Sequence, residues 1–283
     1  MAERHAATTE ALTAFAEQLK VQPAATLDLA AMDPAGTPAY DGSKAHAKRE
    51  LRVLRRELFA FQSRLWAERR RSMLIVLQAL DAGGKDGTIR KVFSAFNLQG
   101  ARVAAFGVPT EEELAHDFLW RIHPHAPGHG RVAVFNRSHY EDVLVVRVAG
   151  LAPEAVWRQR YDLINEWEHS LATAGTTILK FMLHISRDEQ RQRLQKRLDD
   201  PEKQWKFSAG DLDVRAQWDA YMTAYADALT RCSTDEAPWY VIPADHKWYR
   251  NLAVARIVAA AARRIDPEYP KLPAELVGTQ IPA

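Results

Sequence analysis

Residues 72–91 read SMLIVLQALDAGGKDGTIRK, and the order of residue types in this stretch decides the fold class. An apolar run from Met73 to Leu80 has the continuity of a strand buried on both faces. It meets Asp81-Ala82-Gly83-Gly84-Lys85-Asp86-Gly87-Thr88, a glycine-bearing turn, and then residues 89–96 with helical spacing. Strand, tight loop, helix is the arrangement that presents backbone N–H groups and a positive helix end to a phosphate. Lys85 adds a mobile charge. Against the pattern G-x-x-x-x-G-K-[ST], Ala79 stands where the first glycine belongs and Asp86 where the hydroxyl belongs, with Thr88 the nearest hydroxyl. Asp81 inside the loop would be repelled by phosphate unless a cation lay between them, which makes it a candidate magnesium ligand. The plain alternative is an ordinary glycine turn between a strand and a helix.

Working outward, residues 1–43 read as an extended arm over the surface, with one short helix near the start and then Pro23, Pro34, Gly36, Pro38 and Gly42. Ser43 is a candidate N-cap for a long amphipathic helix to about Arg71, with Leu51, Leu54, Leu58, Phe61 and Leu65 on one side. Its other faces are strongly basic. Arg52, Arg55 and Arg56 are candidate contacts for a polyanion, the alternative being a solvated basic face.

Further strands are expected at residues 101–108, 131–135, 176–185 and 239–243. Helices are expected from Pro109 to about Ile122, at 153–173, from Ser186 to about Asp199, at 212–231 and at 248–264. Strands alternating with helices predict an α/β fold with a mostly parallel five-stranded sheet. Residues 44–265 then form one catalytic domain, residues 187–212 its lid, and residues 266–283 a C-terminal strap. Ligands in such sheets bind beyond the carboxyl ends of the strands. That edge gathers the glycine loop, the segment Asn136-Arg137-Ser138-His139-Tyr140-Glu141-Asp142, and the arginine-rich helix carrying Arg191 and Arg197.

Composition narrows the functional classes. The 283 residues carry 38 basic and 36 acidic side chains, so overall charge does not mark a nucleic-acid binder. Cys232 is the single cysteine, which excludes an intrachain disulfide and fits a reducing cytoplasm. No apolar stretch is long enough to span a membrane, and the first twenty residues lack a secretion-signal core. His123, His125 and His129 fall in a Pro/Gly-rich loop with no register to aim their rings at one zinc ion.

Together, residues 81–88, His116-Asp117-Phe118-Leu119-Trp120-Arg121 and Phe135-Asn136-Arg137-Ser138-His139-Tyr140-Glu141-Asp142-Val143-Leu144 resemble the family-2 polyphosphate kinases, a likeness that continues through residues 186–208. The resemblance implies a thymidylate-kinase-like αβα sandwich, a P-loop kinase with a helical lid. It implies reversible phosphoryl transfer between inorganic polyphosphate and the nucleotides AMP, ADP and ATP, with magnesium or manganese as cofactor. A homo-oligomer, dimer or tetramer, is also implied. Asn136 stands where many members have aspartate, and this version resembles the class III branch, which accepts both AMP and ADP.

On that reading Asp81, Asn136 and Glu141 are the metal candidates, with Asp142 close by. Lys85, Arg137 and Arg191 neutralise the transferred group, and residues 82–84 and 86–88 cradle phosphate. Asn136, Arg137, His139, Tyr140 and Arg197 face the nucleotide. Two other classes share these features: an ATP-dependent nucleoside or nucleotide kinase, and a non-catalytic polyanion-binding protein with a decayed loop.

Overall fold

The computed structural model describes residues 7–281. The first six residues of the expected arm and the last two of the strap lie outside the described residues. Helix α1 (Thr9–Leu19) leads to α2 (Lys44–Glu68), β1 (Ser72–Gln78), α3 (Lys85–Val92) and β2 (Ala101–Ala105). A one-turn helix α4 (Glu111–Leu114) precedes β3 (Val132–Asn136), the short α5 (Val145–Val148), α6 (Glu154–Thr173) and β4 (Thr176–His184). The chain closes with α7 (Arg187–Leu198), α8 (Gly210–Ala216), α9 (Trp218–Cys232), β5 (Trp239–Pro243) and α10 (Lys247–Ile265).

All strands pair in parallel, in the order β2-β3-β1-β4-β5. The seven residues of β1 are all buried, because alternate side chains enter opposite cores. Met73, Ile75 and Leu77 pack with α1, α2, α3 and α10. Leu74 and Val76 pack with α6 and α9. The sheet is thus the middle layer of an αβα sandwich. The chain turns from β1 toward β3 on one side and β4 on the other, so the loops after these three strands open together at one edge. No described helix is long and apolar enough to cross a membrane.

Three expected elements differ. Residues 7–43 are not a surface arm: Leu12, Phe15 and Leu19 are buried in the core beneath α10, and Lys20 bridges Tyr240 at the sheet edge. The helix opening at Thr110 starts with a capping box to Glu113, yet it ends after one turn instead of running to Ile122. The Asp117 carboxylate accepts from the Leu119 N–H at 3.0 Å and holds the chain in a turn there. The helix expected over 212–231 is two helices, α8 and α9, parted at Gln217.

Candidate active site

Ser72 to Gln78 ends at the sheet edge, and the loop that follows is held by its own backbone. The Gly83 N–H donates to the Leu80 carbonyl at 2.9 Å, and Gly84, at φ +108°, turns the chain into α3. Only glycine takes that angle without strain. Ala82 (φ +61°) and, after β3, Arg137 (φ +63°) are left-handed without being glycine. Such strain persists where surrounding contacts hold it, and here both residues line one cleft.

The cleft measures about 950 Å³. Its wall carries ten cationic side chains, among them Lys85, Arg137, Arg193, Arg197 and Arg250, against three carboxylates, Asp81, Asp86 and Glu202. The Lys85 ammonium donates to the Ala79 carbonyl at 2.7 Å, and burial lowers its pKa. Arg137 pairs with Asp81 at 2.8 Å. Asp86 accepts from Asn136 at 3.0 Å and from Lys206, in the turn that follows α7, at 3.0 Å. Burial opposes ionisation of Asp86, but these two bonds outweigh it and hold its pKa below the ordinary value.

Arg193 binds α7 to the loop. Its guanidinium donates to the carbonyls of Ala82 (3.0 Å), Gly83 (3.2 Å), Ala244 (2.6 Å) and Asp245 (3.0 Å), while Glu189 accepts from Nε at 2.7 Å. Arg250 reaches the same loop from α10. It is 2 % exposed, and its one side-chain partner is Asn251. A Cβ on Gly84 would stand 1.8 Å from its Nη1. Burial and Arg193 push its pKa down to about 9, which leaves it cationic at neutral pH.

Asp81, Asn136, Arg137, Arg197, Lys85 and residues 82–84, 86 and 87 therefore share one cleft as expected. Other expected residues do not face it. His139 and Tyr140, expected at the nucleotide, are fully buried. The His139 Nε2 bonds Glu168 at 3.1 Å, the Tyr140 hydroxyl donates to Glu168 at 3.0 Å, and Lys180 of β4 completes this internal network. With no exposed surface, neither ring reaches a ligand; they fix the segment that carries Arg137.

Asp142 turns inward to Arg160 at 2.9 Å, and burial raises its pKa to about 6. Glu141 is half-buried and lies close enough for its charge to act on Arg137 and Lys85. Arg191 is exposed and does not line the cleft, whereas Arg193, two residues on, does. Thr88 is buried and donates back to the Gly84 carbonyl. Arg52 and Arg56 are exposed on α2 and Arg55 donates to Ser94 at 3.0 Å; none of the three lines the cleft.

A family model described as polyphosphate kinase 2 matches residues 41–270. The chain is 54% identical over 255 residues to the AMP/ADP-polyphosphate phosphotransferase of Meiothermus ruber, covering 90% of this chain and 96% of the relative. It is 43% identical over 267 residues to the ADP-polyphosphate phosphotransferase of Rhodopseudomonas palustris, covering 90% of this chain and 92% of the relative. In three dimensions it is similar to the crystal structure of polyphosphate kinase 2 from Arthrobacter aurescens TC1, with TM-score 0.88 at 46% identity over 91% of this chain and 92% of that one.

Proposed function

The chain belongs to the polyphosphate kinase 2 family, and from that premise we propose that it transfers the terminal phosphoryl group of inorganic polyphosphate to AMP and ADP, the class III reaction. The observation that carries this reading is the excess of cations, ten against three carboxylates, around a glycine loop at the end of β1. A substrate that brings many phosphates into one cleft needs that excess.

The roles follow from position. The donor end lies against residues 82–88, with Lys85, Arg137 and Arg250 offsetting charge on the transferring group. Arg193 keeps the lid helix and the loop in register. Asn136 and Arg197 flank the nucleotide side, and Asn136 adds no charge of its own, which suits acceptors bearing one or two phosphates. Transfer needs positioning and charge stabilisation rather than a covalent nucleophile.

Magnesium fits the donor set. It binds through one or two carboxylates plus water and substrate phosphates, and Asp81, with Glu141 nearby, offers that much. No group of three or more His, Cys, Asp or Glu able to hold a metal occurs among the described residues, so substrate oxygens would complete the shell. Bound there, the ion would neutralise charge on the donor and acceptor phosphates. The assignment as a homo-oligomer rests on the family resemblance, and sedimentation velocity tests it.

The test is ATP formation from ADP or AMP with magnesium and long-chain polyphosphate, beside controls lacking polyphosphate or offering ATP as donor. Polyphosphate-dependent product from both acceptors is expected, and Asp81→Asn and Lys85→Ala should each lower kcat at least a hundredfold in folded protein. Turnover near wild type in either variant, or transfer from ATP alone, refutes the assignment.

A further inference from the structure

Glu168 of α6 is 1 % exposed, and its two carboxylate oxygens serve two sides of the fold. Oε1 binds the His139 ring at 3.1 Å and accepts from the Tyr140 hydroxyl at 3.0 Å, both in the turn after β3. His139 Nδ1 is buried with no partner among the described residues, so the ring carries its hydrogen on Nε2 and is the donor of that bond. Oε2 takes Lys180 of β4, whose ammonium also donates to the Tyr140 hydroxyl at 2.9 Å and to the Cys232 carbonyl at the end of α9 at 2.6 Å. Burial opposes ionisation of Glu168, but Lys180 and His139 outweigh it and hold its pKa below the ordinary value. Removing both charges from water costs about as much as their attraction returns, so stability alone does not account for the pair. What the network holds is local geometry. Arg137 sits at φ +63°, which a residue with a side chain keeps only where surrounding contacts enforce it. Its N–H donates to the Leu77 carbonyl at 3.1 Å and the Ser138 hydroxyl accepts from Gln78 at 3.1 Å, so the turn is tied to β1 where it begins. The next two side chains are tied to Glu168.

We propose that Glu168 is a positioning residue for phosphoryl transfer: by fixing His139 and Tyr140 it holds Arg137 in its left-handed conformation, 2.8 Å from Asp81, and so acts on kcat without touching substrate. The inference rests on the reaction proposed above. Arg137 offsets charge on the transferring group, so a small displacement of its guanidinium raises the barrier to transfer more than it weakens binding of either substrate. Lys180 serves the same end. It occupies Oε2 and leaves Oε1 aimed at the two rings.

The test begins with Tyr140→Phe, which removes one of the two bonds to Oε1 and leaves the pair of Glu168 with Lys180 in place. Its kcat for ATP formation from ADP and polyphosphate should fall about tenfold, with KM for both substrates within about twofold of wild type. In an Arg137→Ala protein the same substitution should cost less than about twofold, because the residue through which it acts is gone. Glu168→Gln/Lys180→Met removes both charges but keeps an acceptor oxygen for the rings, and its kcat should stay within about threefold of wild type. Glu168→Leu/Lys180→Met removes that oxygen as well and should lose about thirtyfold. Thermal unfolding shows which variants are folded at the assay temperature, and Tyr140→Phe, a near-isosteric change, decides the matter where the leucine variant is not. Unchanged kcat in Tyr140→Phe, a loss confined to KM, a loss that persists in full without Arg137, or equal losses in the two folded double variants overturns the positioning role while leaving the reaction intact. A wild-type protein that makes no ATP from ADP and polyphosphate overturns the reaction, and the positioning role with it.

Discussion

Replacing Arg193 by alanine tests whether the lid helix and the glycine loop are one mechanical unit. The side chain is 7 % exposed and makes four bonds to main-chain carbonyls besides its pair with Glu189. A net contribution of roughly 1 kcal/mol per bond gives an upper figure of about 5 kcal/mol. The Ala82 and Gly83 carbonyls border the cleft, where water can replace the lost donors, so about 3 kcal/mol is the better expectation. For a domain of this size that lowers Tm by roughly 8 °C. Turnover should fall about a hundredfold, since displacement of Ala82 and Gly83 by even an ångström moves the phosphate cradle. Arg193→Lys keeps the charge but loses the planar fork that spans Ala82 and Asp245, so it should recover less than half of the lost stability. Urea unfolding and polyphosphate-dependent ATP formation read the two effects. An alanine variant within about 1 kcal/mol of wild type and with unchanged kcat would refute the coupling.

Two further outcomes follow from the same geometry. Gly84→Ala puts a Cβ 1.8 Å from the Arg250 guanidinium at φ +108°, and should cost roughly 2 kcal/mol of stability and most of the activity; combining it with Arg250→Ala relieves the clash but not the backbone strain, so it should return part of the stability and none of the turnover, and a fully active Gly84→Ala single variant would sink the argument. Burial holds the His139 pKa below its ordinary value of 6.5, so the ring is neutral in the fold while the unfolded chain takes up a proton below that pH. Stability from this ring is therefore complete above about pH 6.5 and falls as pH drops, by at most about 1.4 kcal/mol per unit. Asp142, whose folded pKa is raised to about 6, acts in the opposite sense between its unfolded value of 3.8 and 6. His139→Gln should reduce the acid slope of the urea midpoint by one proton, and an unchanged slope would show that His139 does not carry it.

The parallel sheet was legible because fully buried strands write themselves as apolar runs; WYVIP over residues 239–243 is β5 to the residue. The loop was legible because a glycine-lysine turn between strand and helix has few other uses. The expectation that Arg191 faces the cleft is not met, and Arg193 stands there instead, for a physical reason. The apolar residues of α7, Leu194 and Leu198, point its inner face toward Arg191, yet Leu198 is 40% exposed and the helix is turned by Gln190 and Arg193 reaching for loop carbonyls. Hydrophobic phase misleads where polar bonds do the docking. His139 and Tyr140 were misread because nothing in their own segment reveals partners 28 and 29 residues away on α6. One signal was available: Lys180 interrupts the apolar run of β4, and a lysine there demands a buried carboxylate. Arg250 carried a weaker signal, as a cation opening the apolar run of α10 from Leu252 to Val254.

Arg250 also shows why net charge was a poor guide to the ligand. The basic helix α2 turns two of its three acidic side chains to α10, where Glu50 pairs with Arg256 at 2.7 Å and Glu57 with Arg263 at 2.5 Å. Elsewhere Asp142 takes Arg160, Asp227 takes Arg147 and Glu168 takes Lys180. Each such pair consumes a carboxylate away from the cleft. A chain that balances 38 basic against 36 acidic residues can then leave ten cations facing three carboxylates in one cavity. The field that a phosphate chain meets is therefore set by which charges the fold has already paired, not by their total. Arg250 is one cation left without a carboxylate among the described residues, and it stands on the wall of that cavity beside the glycine loop.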